Sequence, residues 1–277
     1  MSLPGRREPG PDRRQILAMG GGGFTMGDPS PALDRHVLTL TGKPLPKICF
    51  LPTASGDASD QLIRFHERFD SWPCQPSSLS LFHLAHERVD PVAHLLAQDA
   101  IYVGGGSMRN MLAIWREHGI DRAMRDAWNA GVVLAGLSAG AMCWFEGGVS
   151  KSGGQPDVVP GLGLLGGSLS VHRDSEPERL PVFRAAVAGG ELPPGYAADD
   201  GAALVYHGAD LVECVASRIG AAVARLTPDG AGGVLETPLP VRSLPGVVGD
   251  GDSRAAADAH GVSELRELRA ARSRWEW

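Results

Sequence analysis

The chain has 277 residues, of which 43% are hydrophobic and 21% are charged, so it is long enough to bury a substantial core in one globular domain. The formal net charge is −6 and the sequence has no run of basic residues, which argues against a nucleic-acid partner. No uninterrupted apolar stretch follows the arginines near the amino terminus, so we expect neither a secretory signal nor a membrane anchor, and a cytoplasmic location.

Short apolar runs alternate with amphipathic segments through the first half of the chain, which is typical of parallel strands joined by helices. The strands are predicted at 15–19, 48–51, 79–84, 100–103 and 132–135. The helices are predicted at 31–40, 59–69, 108–118 and 121–129. We therefore expect an α/β fold with a mainly parallel sheet and helices on both faces.

After Tyr196 the pattern changes to short strand candidates separated by turns, which predicts antiparallel strands near the C-terminal edge. These candidates lie at 202–206, 211–216, 222–226 and 233–241. Residues 1–14, rich in Pro, Gly and Arg, predict a disordered leader. Residues 15–245 then form a single α/β domain, and residues 246–277 a C-terminal extension with a charged helix.

Three glycine-rich turns directly follow predicted strands, at residues 20–23, 104–106 and 136–140. In open parallel sheets the active site lies at the carboxyl ends of the strands. The three turns are therefore expected to converge on one crevice.

Ser138 is the candidate nucleophile. It is the central residue of a Gly-x-Ser-x-Gly pattern at 136–140, which after a buried strand is typical of a nucleophile elbow. The flanking glycines permit the tight turn, and the following helix directs the N–H of Ala139 at a developing oxyanion. Gly105 or Gly106 is expected to supply the second donor of the oxyanion hole. The alternative is that Ser138 only caps a helix.

A serine hydroxyl needs a neighbouring base, and that base needs an acid to orient it. Of the nine histidines, we favour His172, because it follows the apolar run at 169–171 and so lies at a strand end. Asp199 and Asp200 share a turn, and one of them is expected to face His172; the alternative is a solvated hairpin turn. The order Ser, His, Asp argues against an α/β-hydrolase, in which the acid precedes the histidine.

These residues resemble peptidase family S51, the peptidase E or aspartyl dipeptidase group, whose fold is like that of class I glutamine amidotransferases. The resemblance covers about residues 15–245. Its specific feature is the elbow paired with the upstream glycine triplet. The matching segments are 102–106, 131–141, 144–146 and 195–204.

The resemblance implies a serine peptidase that releases an N-terminal aspartate from dipeptides, without a metal or other cofactor. Ser138 matches the family nucleophile and His172 its base. The acidic position falls on Asp200, with Asp199 as the alternative.

The resemblance also implies an oxyanion hole made by Ala139 with Gly105 or Gly106. Arg179 lies where the family carries an arginine, and a guanidinium can bind a substrate carboxylate through two parallel hydrogen bonds. The alternative for Arg179 is a surface position on a helix.

The sequence departs from the family pattern at 171–173 and 107–109, and both segments line the expected pocket. Two alternatives to an aspartyl dipeptidase therefore stay open. The same triad could act on another small amide, a β-aspartyl peptide or an ester. The chain could instead be a non-catalytic small-molecule binder, although neither upstream glycine run completes a GxGxxG motif. We expect a small peptide as the partner, and the sequence leaves open whether the chain forms a homodimer.

Overall fold

The computed structural model describes residues 13–28, 30–84 and 89–248. Most of the predicted leader at 1–14 and of the predicted extension at 246–277 lies outside these residues. The described strands are β1 Gln15–Met19, β2 Lys47–Leu51, β3 Gln75–Ser78, β4 Ala100–Val103, β5 Val133–Leu137, β6 Gly147–Ser150, β7 Asp157–Pro160, β8 Ser168–Ser170, β9 Gly195–Ala198, β10 Ala202–His207, β11 Asp210–Arg218, β12 Val223–Pro228, β13 Val234–Pro238 and β14 Val241–Val248.

The described α-helices are α1 Ala32–Leu40, α2 Ser59–Phe69, α3 Pro91–Leu96, α4 Met108–His118, α5 Ile120–Asn129, α6 Ala139–Met142 and α7 Arg179–Ala188. Those predicted from the sequence lie within a residue of their predicted boundaries. None of the helices described here is both long enough and apolar enough to cross a bilayer.

Within the described residues, eight strands form the larger sheet, in the order β14-β11-β10-β1-β5-β4-β2-β3. Five neighbouring strands of this sheet run parallel to one another, in the order β1, β5, β4, β2 and β3. β10 is antiparallel to both β1 and β11, as expected for strands near the C-terminal edge. The predicted α/β class with a mainly parallel sheet is confirmed.

Both faces of the larger sheet are covered by helices, as the alternation of side chains on β1 illustrates. Ile16 and Ala18 belong to a core that includes α4, α5 and α6. Leu17 and Met19 belong to a second core that includes α1 and α2. All four side chains are fully buried, so β1 is a central strand packed on both sides.

A second sheet of six strands, in the order β13-β12-β9-β8-β6-β7 among the described residues, was not expected from the sequence. β12 and β13, predicted as edge strands of a single sheet, belong to it instead. One face carries Ala197 and packs against Phe183 and Val187 of α7. The other face carries Leu169 and joins the core that includes α4, α5 and α6. The two sheets therefore meet across that core.

Two strand predictions were wrong in position. A strand was predicted at 79–84, but the strand in this region is β3, Gln75–Ser78. Its sequence, Gln-Pro-Ser-Ser, is polar because β3 is an edge strand of the larger sheet. Leu79 and Leu81 are buried beyond its end, which produced the apolar pattern. The strand predicted at 233–241 is two strands, β13 and β14. Prolines at 238 and 240, which cannot donate to a ladder, lie at this division.

Candidate active site

Ser138 lies in the sharp turn between β5 and α6, with φ +53° and ψ −115°. A non-glycine residue rarely adopts a positive φ, and such strain is concentrated at functional sites. The side chain of Ser138 makes no capping hydrogen bond to α6, so the helix-cap alternative does not describe it. The turn instead presents its hydroxyl at the carboxyl end of β5.

The glycines around Ser138 are required by close backbone approaches. A Cβ on Gly136 would lie 2.1 Å from the carbonyl oxygen of Gly140, and a Cβ on Gly140 would lie 2.4 Å from that of Val103. Real Cβ atoms do not come so close to backbone oxygens. The pattern at 136–140 is thus set by the packing of the turn against β4, as an elbow requires.

His172 lies two residues beyond β8, on the smaller sheet, and also has a positive φ, +57°. Its Nε2 is 2.9 Å from Oγ of Ser138, and its Nδ1 is 2.6 Å from Oδ1 of Asp200. Because an ionised carboxylate only accepts hydrogen bonds, Nδ1 carries the proton and Nε2 accepts from the serine hydroxyl. Ser138 and His172 are each only 7% exposed, so water competes little for these bonds.

Asp200 is fixed from its backbone side. Its N–H donates to a carboxylate oxygen of Asp174 at 2.8 Å, and its carbonyl accepts from Arg218 at 3.1 Å. Arg218 in turn pairs with Asp174. Burial tends to raise the pKa of Asp200, but the hydrogen bond and charge of His172, with help from Ser175 and Arg218, hold it below the usual value. Asp200 is therefore ionised at neutral pH.

Asp199 points away from His172. Its Oδ2 accepts the N–H of Ala222 at 2.9 Å and its Oδ1 the guanidinium of Arg173 at 3.3 Å. Its pKa is raised, mainly by burial. Since Asp199 is only 6% exposed, the solvated hairpin turn does not describe this segment, and Asp200 is the carboxylate that contacts the imidazole.

Of the two upstream glycines, Gly105 lies beside Ser138: a Cβ there would be 3.3 Å from the Cβ of Ser138. A Cβ on Gly106 would instead meet the carbonyl oxygen of Ala54 at 2.2 Å, so Gly106 packs against a neighbouring turn. Within residues 13–28, 30–84 and 89–248, no protein group accepts from the N–H of Gly105 or Ala139. Both donors are available to a bound oxyanion.

Arg179 begins α7 and is only 6% exposed, so the alternative of a surface helix arginine is wrong. Its Nε donates to Glu176 at 2.7 Å and its Nη1 to the carbonyl of Val149 at 3.0 Å. Glu176 is tied to the site because its N–H donates to the carbonyl of His172 at 2.7 Å. In the described chain Nη2 of Arg179 has no protein acceptor. Arg179 is thus linked through Glu176 to the backbone of His172.

Sequence reasoning missed Asp174, Arg218 and Gly21, which all contact the His172–Asp200 pair or its backbone. An acid, an arginine and a turn glycine carry no local signal of such a role. The described residues hold no group of three or more His, Cys, Asp and Glu side chains placed to bind a metal ion.

Comparisons with known proteins agree with this geometry. The sequence matches the description "Peptidase family S51" over residues 16–214. It is 45% identical over 231 residues to the "Uncharacterized peptidase YgaJ" of Bacillus subtilis (strain 168), an alignment that spans 83% of this chain and 99% of that protein.

Two solved structures share the fold at low sequence identity. A peptidase from an acI-B1 Actinobacterium is 20% identical with a TM-score of 0.58, covering 82% of this chain and 94% of that one. A putative peptidase E protein from Listeria monocytogenes EGD-e is 17% identical with a TM-score of 0.51, covering 72% and 96%.

Proposed function

This chain belongs to peptidase family S51 and is a serine-type peptidase, and we propose that it hydrolyses small peptides through a triad of Ser138, His172 and Asp200. The observation that carries the triad is the continuous hydrogen-bonded path from Oγ to Nε2 at 2.9 Å and from Nδ1 to the carboxylate at 2.6 Å. It begins at a strained elbow residue and ends at a carboxylate that is ionised.

In the proposed reaction, Oγ of Ser138 attacks the carbonyl carbon of the scissile peptide bond while Nε2 of His172 takes the hydroxyl proton. Negative charge then develops on the carbonyl oxygen, and the N–H groups of Ala139 and Gly105 stabilise it. Asp200 stabilises the imidazolium. When the C–N bond breaks, His172 returns the proton to the leaving amine and an acyl-enzyme ester remains.

Water then hydrolyses the ester by the same kind of steps, with water as the nucleophile and Oγ of Ser138 as the leaving group. His172 takes a proton from the water as its oxygen attacks the ester carbonyl, and then protonates Oγ of Ser138 as the C–O bond breaks. The acid product leaves with a free carboxylate, and the enzyme returns to its starting state. The proton transferred in each half of the cycle passes through Nε2, and the second proton of the water ionises from the product acid into solvent.

The proposed substrates are dipeptides with an N-terminal aspartate. Their support is the family resemblance, the "peptidase E" name of the structural relative from Listeria, and the buried guanidinium of Arg179. Two of its nitrogens are fixed by Glu176 and the carbonyl of Val149, which holds Nη2 in place. A preorganised, partly buried guanidinium is suited to the side-chain carboxylate of aspartate. We place the enzyme in the cytoplasm on the basis of its sequence alone.

The test measures hydrolysis by the wild type and by Ser138→Ala. The substrates are a series of dipeptides that differ in their N-terminal residue, and aspartyl-p-nitroanilide. We expect the wild type to prefer aspartate and the variant to lose at least about 10⁴-fold in kcat. A fluorophosphonate probe should label the wild type and not Ser138→Ala. Ser71→Ala, at an exposed serine beyond α2 whose hydroxyl donates to the carbonyl of Arg68, is the matched control and should resemble the wild type. Undiminished hydrolysis by Ser138→Ala would overturn the proposal.

A further inference from the structure

The glycine run at 20–23, which follows β1, has no part in the chemistry described so far, yet its backbone and that of Met19, the last residue of β1, together contact every segment of the proposed triad. The carbonyl of Met19 accepts the N–H of Ser138 at 3.2 Å, and the carbonyl of Gly20 accepts the N–H of His172 at 3.2 Å. The carbonyl of Gly21 accepts the N–H of Gly201, next to Asp200, at 3.1 Å. Three consecutive carbonyls thus hold three segments that are remote in sequence.

The position of β1 explains how one turn can reach all three segments. β1 lies between β5, which leads into Ser138, and β10, which begins just after Asp200. The turn beyond β1 then extends to His172 at the end of β8, in the smaller sheet. The turn is therefore one of the links between the sheet that supplies the nucleophile and the sheet that supplies the base.

Gly21 also lies directly against the side chains of the acid and the base. A Cβ at this position would be 1.9 Å from Oδ1 of Asp200 and 2.8 Å from Nδ1 of His172. These are the two atoms that form the 2.6 Å hydrogen bond. Since Gly21 does not have a positive φ, an alanine there suits the backbone, and its conflict is with that pair of side chains. Gly20 differs, because its Cβ would strike the carbonyl oxygen of Asp199.

On the basis of the proposed triad, we infer that Gly21 is a positioning residue for the peptidase reaction: its missing side chain leaves the space in which Asp200 and His172 form their hydrogen bond. Gly21 touches no substrate in this role and acts through Asp200. A methyl group at this position displaces the carboxylate, whose side chain is 20% exposed and free to move toward water. His172 then loses the partner that fixes its ring and its tautomer.

The experiment compares Gly21→Ala with Gly153→Ala in the full chain. Gly153 also lacks a positive φ, and a methyl group added there would meet open space, with nothing beyond its chain neighbours within 4 Å, so it controls for the substitution itself. For Gly21→Ala we expect kcat on aspartyl-p-nitroanilide and the rate of fluorophosphonate labelling to fall about 100-fold or more, with KM nearly unchanged. Gly153→Ala should match the wild type.

A double-mutant cycle with Asp200→Asn tests whether Gly21 acts through Asp200. If it does, adding Gly21→Ala to Asp200→Asn lowers kcat by less than about threefold, because the contact is already lost. If the fold-losses in kcat of Gly21→Ala and Asp200→Asn multiply in the double variant, the inference is overturned. A wild-type kcat in Gly21→Ala alone would also overturn it. If Gly21→Ala does not fold, Gly21→Ala/Asp200→Ala should restore folding by removing the closest atom in conflict, Oδ1 of Asp200, which leaves only the milder approach to Nδ1 of His172. Failure of both variants to fold would overturn the inference.

A spectroscopic measurement separates this inference from the proposed function. The proton shared by Nδ1 of His172 and Asp200 should give a far-downfield proton resonance in the wild type, whether or not a substrate is known. We expect that resonance to be absent from Gly21→Ala and present in Gly153→Ala. A resonance that persists in Gly21→Ala would overturn the positioning role and leave the peptidase proposal standing. If the wild type hydrolyses none of the peptides and Gly21→Ala still loses the resonance, the positioning role of Gly21 stands and the peptidase proposal is overturned.

Discussion

The two sheets hold their parts of the site by different physical means. The larger sheet supplies Ser138 and Gly105 at the ends of β5 and β4, and fixes them by packing, with glycines closely opposed to backbone oxygens. The smaller sheet supplies His172 and Asp200 at the ends of β8 and β9, and fixes the acid by hydrogen bonds and ion pairs. The nucleophile side should therefore be sensitive to added volume, and the base and acid side to removed charge as well as to volume added at Gly21.

The sharpest test of the base and acid side compares substitutions of two adjacent carboxylates, Asp200 and Asp199. Asp200→Asn keeps the shape of the side chain but removes the charge that orients the imidazole and stabilises its protonated form. We expect kcat to fall by about 10³- to 10⁴-fold, measured with aspartyl-p-nitroanilide, while thermal unfolding stays cooperative.

Asp199→Asn is the matched control for that substitution. The asparagine oxygen can still accept the N–H of Ala222, which Asp199 bonds at 2.9 Å, and the side chain does not contact His172. We expect less than about a fivefold change in kcat, as for a residue outside the reacting groups. If the two variants lose activity equally, the assignment of the acid to Asp200 is wrong.

The same division explains what the sequence could predict. β1 lies at its predicted residues because an unbroken apolar run marks a strand buried on both faces, and α2 does so because its apolar residues recur with a helical period. Ser138 was found because an elbow requires glycines at fixed spacing. β6 and β8, by contrast, are three or four residues long and consist mainly of glycine and serine, so periodicity gave no sign of a second sheet.

The polar contacts of the smaller sheet were beyond prediction for a different reason. Asp199 and Asp200 are adjacent, and only the positions of Arg173, Ala222 and His172 decide which one faces the base. The choice of Asp200 came from the family resemblance. The glycine run at 20–23 was expected at the crevice, but the contact of Gly21 with Asp200 and His172 was not predicted, because a turn glycine does not reveal which side chains lie against it.

The second prediction concerns substrate recognition by Arg179 at the start of α7, beside β6 of the smaller sheet. Arg179→Gln removes the positive charge but keeps a donor for its buried neighbours. We expect kcat/KM for aspartyl-p-nitroanilide to fall about 10- to 100-fold more than for alanyl-p-nitroanilide, since a hydrogen bond to a charged group is worth about 1.5–3 kcal/mol.

The ratio between the two substrates is the decisive quantity, because a general loss of structure would lower both rates together. Arg184→Gln lies on the same helix, where Arg184 is exposed and pairs with Glu236, and it should leave the ratio unchanged. An unchanged ratio in Arg179→Gln would mean that Arg179 supports the fold of the smaller sheet and does not select aspartate.

The smallest effect on activity is expected at Asp34 of α1, a carboxylate whose pKa is raised, whereas the pKa of Asp200 is lowered. Asp34 is fully buried, and burial raises its pKa to about 7 even though Arg68 and the hydroxyl of Tyr102 bond to it at 2.9 and 3.0 Å. In the unfolded chain its pKa returns to about 3.8. Between these values the folded protein binds the extra proton.

The stability contributed by Asp34 should therefore fall as pH rises from about 4 to about 7, because the folded state must give up a proton that the unfolded state has already lost. The slope from this group is at most about 1.4 kcal/mol per pH unit. Asp34→Asn cannot titrate, so the unfolding free energy of the wild type relative to this variant should decline through about pH 5–7 and then level off. Denaturant unfolding at a series of pH values measures it.

Asp99→Asn provides the contrasting control. Burial opposes the shift, but the hydrogen bonds and charges of Lys43 and Lys47 hold the pKa of Asp99 below its usual value, so it is ionised in both states throughout about pH 5–7. Its difference from the wild type should be constant in that window. If Asp34→Asn shows the same flat difference, then Asp34 is ionised in the fold, and its pairing with Arg68 outweighs its burial. kcat should change little in either variant, because neither side chain contacts the triad.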